Sequence, residues 1–462
     1  MNQPETGDPD PSSLKLVKEA KPLTWKFWQK RRYIIVFLAF LGYIANYLLR
    51  VNLSVAIVKM TEIREIVHEN GTVIGYEQDF NWSTQERGLI LSSFFWGYTA
   101  TSFAGGVFAK RFGGNVIFGL GIGLTAILTL LTPLLGRTVT SMIIIRVLQG
   151  LFEGVTYPCI HDIWFYWAPI PERSRMSSIA YAGIFFGTAI TMPSSAYLAE
   201  SLGWESVFYV FGSLGILWHI VWIVVVRSSP DKDRFISNDE LVYIQSTVTT
   251  SKNKRIIPWK ALLTSKAVYA IVASQFAMNW CFNTMLTQMP TFLADTLQYD
   301  LASSGFLSGA PYLTMGIFIS SAGYLADMFV NRGYISIRRI RKLYVSGALL
   351  VQTICMLLAG FLLDPVWSVV LIIIGVGSGG FASSGYSVNC LDIAPEYASV
   401  ILGYSNTLAS LTGIVSPALT GVLVTQQTVE EWRIVFYITA GIDILGSIAY
   451  LFWSSGDVQP WA

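Results

Sequence analysis

Arg146 and Glu153 are the two charged residues in an otherwise apolar stretch, residues 142–160, that has the composition of a membrane-spanning helix. Seven positions separate them, which is almost two helical turns, so both side chains lie on one helix face about 10 Å apart. An arginine near the bilayer centre costs about 2.5–3.5 kcal/mol on insertion scales. A chain retains such a pair where it faces a water-filled cavity or a partner. The spacing therefore predicts a pathway for a charged solute.

Hydrophobic residues make up 53% of the 462 residues and charged residues only 13%, against about 25% charged in a soluble domain. Apolar runs recur along the whole chain, each near the length of about 20 residues that crosses a bilayer. The twelve predicted spans are 33–57, 85–109, 114–135, 139–166, 176–199, 204–227, 266–294, 302–326, 340–362, 365–391, 398–424 and 433–453. The sequence predicts an all-α membrane protein.

Basic residues are concentrated in the N-terminal segment and in alternate loops, which together hold 24 of the 31 Lys and Arg residues, whereas the opposite loops hold five. The positive-inside rule then predicts that both termini lie in the cytosol. The N-terminal segment contains no apolar run, so we expect no cleavable signal peptide. Sequons at Asn70 and Asn81 lie in the predicted outer loop 58–84 and are candidate glycosylation sites.

Three internal matches recur in the same order, which indicates two parallel six-helix halves. Trp-x-x-Val-Phe-Tyr begins at Trp204 and again at Trp432, and a proline pair separated by 22 positions occurs at Pro171 and Pro193 and again at Pro395 and Pro417. A glycine pair separated by 18 positions also repeats. The predicted organisation is a cytosolic tail 1–32, a first half 33–227, a cytosolic linker 228–265, a second half 266–454 and a cytosolic tail 455–462.

Arg50 in the first span lies at nearly the same predicted depth as Arg146 in the fourth. Guanidinium groups present a planar fork that fits carboxylate or phosphate bidentately, so the two arginines are candidates for an anion clamp. Asn46 and Tyr47 lie on the same helix face as Arg50 and either touch the ligand or bond to a neighbouring helix. The alternative for the arginines is a structural salt bridge, such as Arg146 with Glu153.

Glu153 is the carboxylate nearest the middle of the first six spans. Desolvation favours its protonated form, whereas a nearby arginine favours the ionised form. An anion that engages the arginine would weaken that second effect and favour protonation, which predicts transport of one proton with one anion. His161, eight residues further along, is either a proton relay or inner gate, or a structural histidine.

The second half offers neutral candidates instead of charged ones. They are Asn279, Asn283, Ser384, Ser387, Asn389 and Asn406. We expect these side chains to hydrogen-bond the uncharged part of a substrate. The four cysteines have neither a disulfide framework nor metal-ligand spacing, so no cofactor is expected, and the net charge of +2 indicates no nucleic acid partner.

Five stretches carry a resemblance to a known family: residues 48–58, 93–98, 146–175, 305–313 and the region around 391–395. They resemble the anion:cation symporter family of the major facilitator superfamily, which includes sialin, the sodium/phosphate cotransporters and the vesicular glutamate transporters. The resemblance runs from about residue 30 to the end of the chain. It implies twelve helices in two six-helix halves and the transport of organic anions or phosphate.

The resemblance also implies roles for individual residues. Positions matching Arg50 and Arg146 serve anion recognition, and the position matching Glu153 serves coupling. Further cavity positions that it implies by similarity to sialin are Tyr47, Tyr98, Tyr181 and His161.

Four positions depart from the family pattern. Gln149 stands where sialin-type sequences have Glu, which removes one possible proton site, and Asn283 replaces a common Tyr. Leu91 and Met278 are apolar where the glutamate transporters have His and Arg. These departures favour the branch of sialin and the phosphate-cotransporter-like members over the glutamate branch.

We therefore expect a monomeric, proton-coupled symporter of small organic anions, sialic-acid-like or other carboxylates, that works by alternating access in a lysosomal, vesicular or plasma membrane. Sodium-coupled phosphate uptake is the alternative within the class, and an anion receptor without transport is the alternative from another class. The sequence contains no nucleophile–base pair, metal cluster or nucleotide motif that would support an enzyme.

Overall fold

A computed structural model describes residues 30–67, 73–169, 172–247, 258–362, 364–394 and 397–462. Almost all of the described chain is helical. The α-helices are α1 Arg31–Met60, α2 Thr84–Phe112, α3 Gly114–Leu135, α4 Val139–Gly154, α5 Thr156–Trp167, α6 Arg173–Leu202, α7 Trp204–Val225, α8 Asn238–Thr247, α9 Trp259–Thr264, α10 Lys266–Thr291, α11 Leu301–Asn331, α12 Ile337–Leu362, α13 Pro365–Ile393, α14 Ala398–Leu423 and α15 Val429–Trp453. Helices α4 and α5 together form one membrane span, which gives twelve spans with α8 and α9 between the two sets of six.

The remaining elements are short. A π-helical turn, Phe292–Thr296, extends α10, and a 3₁₀ turn, Pro230–Lys232, precedes α8. Strands β1 Arg64–Val67 and β2 Val73–Glu77 form an antiparallel hairpin between α1 and α2. This hairpin marks one end of the molecule, called the hairpin end here, and the segment with α8 and α9 marks the opposite, linker end.

Eight of the described helical spans are long and apolar enough to cross a bilayer by length and composition alone. The other four, α2, α6, α10 and α11, have 26 to 31 residues each but include more polar side chains. Their position in the fold explains this difference, because α2 packs against α14, α6 against α11 and α10 against α1 across the boundary between the two sets of six. Helices that face protein on several sides need fewer lipid-compatible residues.

The two sets of six form two helix bundles, the first from α1 to α7 and the second from α10 to α15. Equivalent residues of the repeat occupy equivalent places. Trp204 begins α7 and packs against Phe80, whereas Trp432 lies in the first turn of α15 and packs against Phe292. Both tryptophans are buried. The repeated motif therefore anchors the final helix of each bundle at the hairpin end.

The fourth span is interrupted at Val155, two residues after Glu153, where α4 ends and α5 begins. Pro158 has no amide hydrogen, so the carbonyl of Gly154 lacks its usual helical donor and the helix is weakened at this point. Beside the break, Thr156 donates its hydroxyl to the Glu153 carbonyl at 2.7 Å. The break therefore lies next to the buried carboxylate.

At the linker end, ion pairs hold α8 against the first bundle. Arg32 Nη1 lies 3.0 Å from Glu240 Oε1 of α8, and Arg32 Nε lies 3.0 Å from Glu172 Oε2. Burial by itself would raise the pKa of Glu172, but the hydrogen bonds and charge of Arg32, together with hydrogen bonds from Tyr33 and Tyr243, lower it below its usual value. The first bundle therefore begins in a network of charged residues.

Candidate substrate-binding site

Glu153 lies at the centre of the first bundle with no exposed surface. Its Oε1 accepts a hydrogen bond from Asn46 Nδ2 at 2.8 Å and is contacted by Arg50 through both Nε and Nη2. Both partners lie on α1, four residues apart on one helix face, as the sequence indicates. The polar atoms of α1 therefore converge on the carboxylate of α4.

The ion pair joins Arg50 to Glu153, which differs from the alternative of a salt bridge between Arg146 and Glu153. The reason is geometric: two positions seven residues apart on a helix are separated by about 10 Å along its axis, too far for direct contact. Arg50 comes from the facing helix instead. The sequence of the first span offers no acid for Arg50, and the fold supplies one from the fourth span.

Arg146 is 4% exposed and has neutral partners. Its Nη1 donates to Gln149 Oε1 at 3.0 Å, and its Nη2 donates to the backbone carbonyl of Arg50 at 3.0 Å. The Gln149 amide is oriented by its own donation to Thr129 Oγ1 at 3.0 Å. Among the described residues no carboxylate forms an ion pair with Arg146, and its Nε has no hydrogen-bond partner.

Phe94 contacts both arginines, with the Arg50 Cζ atom 5.0 Å and the Arg146 Cζ atom 4.9 Å from the centre of its ring. The Arg50 guanidinium also lies 4.8 Å from the ring centre of Tyr47 and 4.7 Å from that of Tyr98. Aromatic faces attract cations and keep water away from them. Sequence reasoning did not identify Phe94, although its position four residues before Tyr98 on one helix face was the available signal.

Tyr181 belongs to a second aromatic group beside this one. Its ring centre lies 5.3 Å from that of Tyr43 and 5.8 Å from that of Tyr157, with which it stacks. Tyr43 and Tyr157 are 5.5 Å apart. Three different helices contribute these rings, α1, α5 and α6. The expected cavity tyrosines therefore fall into two neighbouring groups, Tyr47 and Tyr98 around Arg50 and Tyr181 with the other two tyrosines.

The candidates of the second bundle occupy several different places. Asn283 is buried on α10 and donates to Thr412 Oγ1 of α14 at 2.9 Å. Ser384 is half-buried on α13, and Ser387 on the same helix donates to the carbonyl of Ser383. Asn389 lies at the linker end of α13, where it donates to the Ser455 carbonyl at 2.8 Å and accepts from Tyr450 at 3.1 Å. The fold thus does not bring Asn389 together with the arginines.

Three other predicted residues lie outside this cluster or outside the described side chains. His161 is on α5, but its side chain is not among those described, and Asn70 lies outside the described residues. Asn81 is exposed in the loop that leads into α2 at the hairpin end. In the part of the chain that the structure describes, no group of His, Cys, Asp and Glu side chains has the arrangement of a metal site.

The first bundle therefore holds a buried cluster of two guanidinium groups, one carboxylate and surrounding aromatic rings. The family model of the Major Facilitator Superfamily matches residues 35–417. The chain belongs to this superfamily of secondary transporters.

Its relatives lie in the anion:cation symporter branch. Sialin of Homo sapiens is 38% identical over 93% of this chain and 90% of its own length. Vesicular glutamate transporter 2 of Homo sapiens is also 38% identical, over 94% of this chain and 76% of its own length. Overall identity therefore does not separate the two kinds of relative. These homologues are transporters and not enzymes, and they indicate a multi-pass membrane protein with a small-molecule substrate.

Solved structures agree on the fold. A bacterial homologue of the human lysosomal transporter Spinster, in an inward-facing and occupied conformation, has a TM-score of 0.70 at 14% identity and covers 91% of this chain and 96% of its own. The D-xylose–proton symporter has a TM-score of 0.67 at 14% identity and covers 91% of this chain and 98% of its own. The predicted twelve-helix fold in two six-helix halves is thereby confirmed.

Proposed function

We propose that the protein is a proton-coupled symporter of small organic monoanions with a carboxylate group, sialic-acid-like or related. The observation that carries this proposal is the unequal charge of the buried cluster. The cluster has two guanidinium groups and one carboxylate, Glu153, which pairs with Arg50. Among the described residues, the hydrogen-bond partners of Arg146 are an amide and a backbone carbonyl. A desolvated guanidinium without a counterion favours the entry of an anion.

The contacts of Arg50 supply a route for coupling. A substrate carboxylate that reaches Arg146 also approaches Arg50, because both guanidinium groups lie against the ring of Phe94. The substrate carboxylate then competes with Glu153 for the guanidinium group of Arg50. A buried carboxylate that loses its cation is more stable in the protonated form, so anion binding draws a proton onto Glu153.

The net charge of the buried cluster supports transport of one proton with each anion. With Glu153 ionised, two arginines and one carboxylate leave one net positive charge in the cluster. One bound monoanion and one proton on Glu153 leave the same net charge. The empty and the loaded transporter then carry equal charge through the conformational change, so neither form bears an additional desolvation cost.

The neutral side chains of the second bundle would contact the uncharged part of the substrate. Asn283 is the strongest of the predicted candidates, because its amide is buried and held by Thr412 on a neighbouring helix. Leu91 and Met278 are buried among apolar residues and add no charge. This neutral environment favours a substrate with a single carboxylate over glutamate, which carries a second carboxylate and an ammonium group.

The proposal includes an orientation. Most of the basic residues in the described part of the chain lie at the linker end, so by the positive-inside rule this end faces the cytosol. The hairpin end, with the exposed Asn81, then faces the lumen of an organelle or the cell exterior. Glycosylation of Asn81 in a eukaryotic membrane would support this orientation.

The test is uptake by the purified protein in liposomes, with a proton gradient alone and with a sodium gradient alone. The substrates are N-acetylneuraminate, glucuronate, glutamate and inorganic phosphate. We expect the proton gradient to drive the uptake of a monocarboxylate. Uptake of phosphate driven by sodium alone would contradict the proposal, and binding without counterflow would identify a receptor.

A variant separates coupling from binding. Glu153→Gln should abolish uptake driven by the proton gradient and retain counterflow of labelled substrate, because both arginines remain. Asp443→Asn is the matched control, since it removes another fully buried acid that lies outside the cluster. We expect the control to retain uptake driven by the proton gradient. Uptake that survives intact in Glu153→Gln would exclude Glu153 as the coupling residue.

A further inference from the structure

An ion pair at the hairpin end joins the two bundles. Arg87, in the first turn of α2, lies with its Nη1 2.8 Å from Oδ2 of Asp295, which is in the π-helical turn after α10. Gln427, in the connection between α14 and α15, donates its Nε2 to the same oxygen at 3.0 Å. Arg87 Nη1 also donates to Thr61 at the end of α1 at 3.3 Å. Four segments from both bundles therefore meet at the Arg87–Asp295 pair.

This ion pair differs from the others in the described part of the chain. Arg31 and Arg32 bind acids of the first bundle and its adjoining linker, and Arg341 pairs with Asp392 inside the second bundle. Of the ion pairs that the structure describes, only Arg87–Asp295 connects the two bundles. Its side chains are 8% and 19% exposed, so water competes weakly for the contact.

Close helix packing surrounds the pair. A Cβ atom on Gly88 would lie 2.7 Å from the Pro417 carbonyl oxygen, and one on Gly421 would lie 2.7 Å from the Thr84 carbonyl oxygen. At the other bundle boundary, a Cβ atom on Gly305 would lie 2.4 Å from the Ala196 Cβ. Helices α2 and α14, and α6 and α11, therefore approach with backbone against backbone at the hairpin end.

Close contacts continue along both helix pairs toward the middle of the molecule. A Cβ atom on Gly413 of α14 would overlap with Phe95 Cδ1 on α2, and one on Gly316 of α11 would lie 3.3 Å from Phe185 Cβ on α6. Further toward the linker end, a Cβ atom on Gly403 of α14 would meet no atom within 4 Å. The boundary between the bundles is therefore tightly packed at the hairpin end, which is where the ion pair lies.

We propose that Arg87 and Asp295 form a latch that holds the transporter closed at the hairpin end and that must open for the opposite access state. Alternating access moves the two bundles apart at one end while they meet at the other. Separation at the hairpin end pulls Arg87 away from Asp295. The hydration of the two freed charges offsets part of the lost contact, so the latch biases the equilibrium without preventing the change.

The latch is tested by the rate at which a membrane-impermeant maleimide labels a reporter cysteine, without any substrate. Ser308→Cys is a suitable reporter because Ser308 is fully buried on α11 beside the Gly305 and Gly309 contacts. The four native cysteines are all buried, which keeps the background low. Labelling is measured from the hairpin side in oriented membranes.

In proteins that carry the reporter cysteine, Asp295→Asn and Arg87→Gln should each raise its labelling rate about tenfold. Loss of a weakly solvated ion pair moves the equilibrium toward opening at the hairpin end. The charge exchange Arg87→Asp with Asp295→Arg should return the rate toward that of the reporter. The matched control Asp392→Asn removes an ion pair within the second bundle and should leave the rate unchanged.

Melting temperatures show whether the variants stay folded. If either single variant melts far below the reporter protein, Gln427→Ala replaces it. That change removes one hydrogen bond to Asp295 and leaves both charges of the ion pair in place. We expect the labelling rate to rise about two- to threefold from loss of this hydrogen bond. Unchanged labelling in folded Asp295→Asn and Arg87→Gln would overturn the latch. This result would not depend on the substrate or the coupling ion, so it is separate from a failure of the proposed function.

Discussion

Glu153 of the first bundle and Asp443 of the second are both fully buried acids, yet their partners differ. Glu153 is bound by the guanidinium of Arg50 and the amide of Asn46. Asp443 meets the Gln352 amide, whose Nε2 lies 3.2 Å and 3.0 Å from its two oxygens. An acid paired with a cation can exchange that cation for a proton when an anion arrives. An acid paired with an amide has no such exchange available.

In the repeat, the second acid occupies the position that a glycine holds in the first bundle. Asp443 lies eleven positions after Trp432, and Gly215 lies eleven positions after Trp204. A Cβ atom on Gly215 would lie 2.7 Å from the Ala126 Cβ, so the first bundle has no room for a side chain at this place. The equivalent position of the second bundle holds an acid–amide pair. The two bundles thus share a backbone plan but place their buried acids differently.

Arg146→Ala should produce the largest effect and tests whether the first bundle binds the anion. Loss of a buried charge contact costs about 3 kcal/mol or more, so uptake should fall about 100-fold. The Arg50–Glu153 pair remains, so the protein should still fold, which a melting curve checks. Initial uptake rates in liposomes measure the effect. Uptake within tenfold of the unmodified protein would remove Arg146 from the anion site.

Gln352→Leu should destabilise the second bundle without affecting coupling. It leaves a buried acid without its donor, which costs about 1–3 kcal/mol of unfolding free energy. The double change with Asp443→Leu should recover much of that loss, because an apolar pair has no unsatisfied group. Thermal unfolding of the purified protein measures both. If the stability lost in the double variant equals the sum of the losses in the two single variants, the two side chains do not act as a pair.

Asn283→Ala should weaken substrate binding by a smaller factor. One neutral hydrogen bond contributes about 1 kcal/mol, so the half-saturating concentration should rise about fivefold. The matched control is Asn389→Ala, because the fold holds Asn389 at the linker end, away from the arginines. Concentration-dependent uptake measures both variants. An equal change in the two variants would argue against a specific contact by Asn283.

Glu172→Gln should have the smallest effect, seen only in the pH dependence of stability. The pKa of Glu172 is lowered in the folded protein by Arg32 and its hydrogen bonds. Its contribution is therefore present above the pKa of the unfolded state and is lost as the pH falls through the lower folded value. Melting temperature should thus fall less steeply with acid in Glu172→Gln. An unchanged slope would show that this network does not contribute.

Sequence patterns predicted much of the fold because the relevant signals are local. A span is recognised by about 20 consecutive apolar residues, and the repeat is recognised by Trp204 and Trp432 in matching surroundings. The break after Glu153 also has a local cause in Pro158. The candidate site was predicted less completely. Arg50, Arg146 and Glu153 were recognised as buried charges. Phe94 was missed because its one signal, a position four residues before Tyr98 on the same helix face, is weak for an apolar aromatic residue in a span.

Twelve apolar segments and two related halves follow from the order of the residues alone. So does the need of Arg50, Arg146 and Glu153 for partners, because burying a charge is costly. Helix packing then selects which partners they have. Glu153 pairs with Arg50 of α1 and Arg146 with Gln149, Asn389 is held at the linker end, and Arg87 meets Asp295 across the bundle boundary. The physical reason is that spacing along a helix sets the face on which a side chain lies, whereas helix packing sets what that face meets.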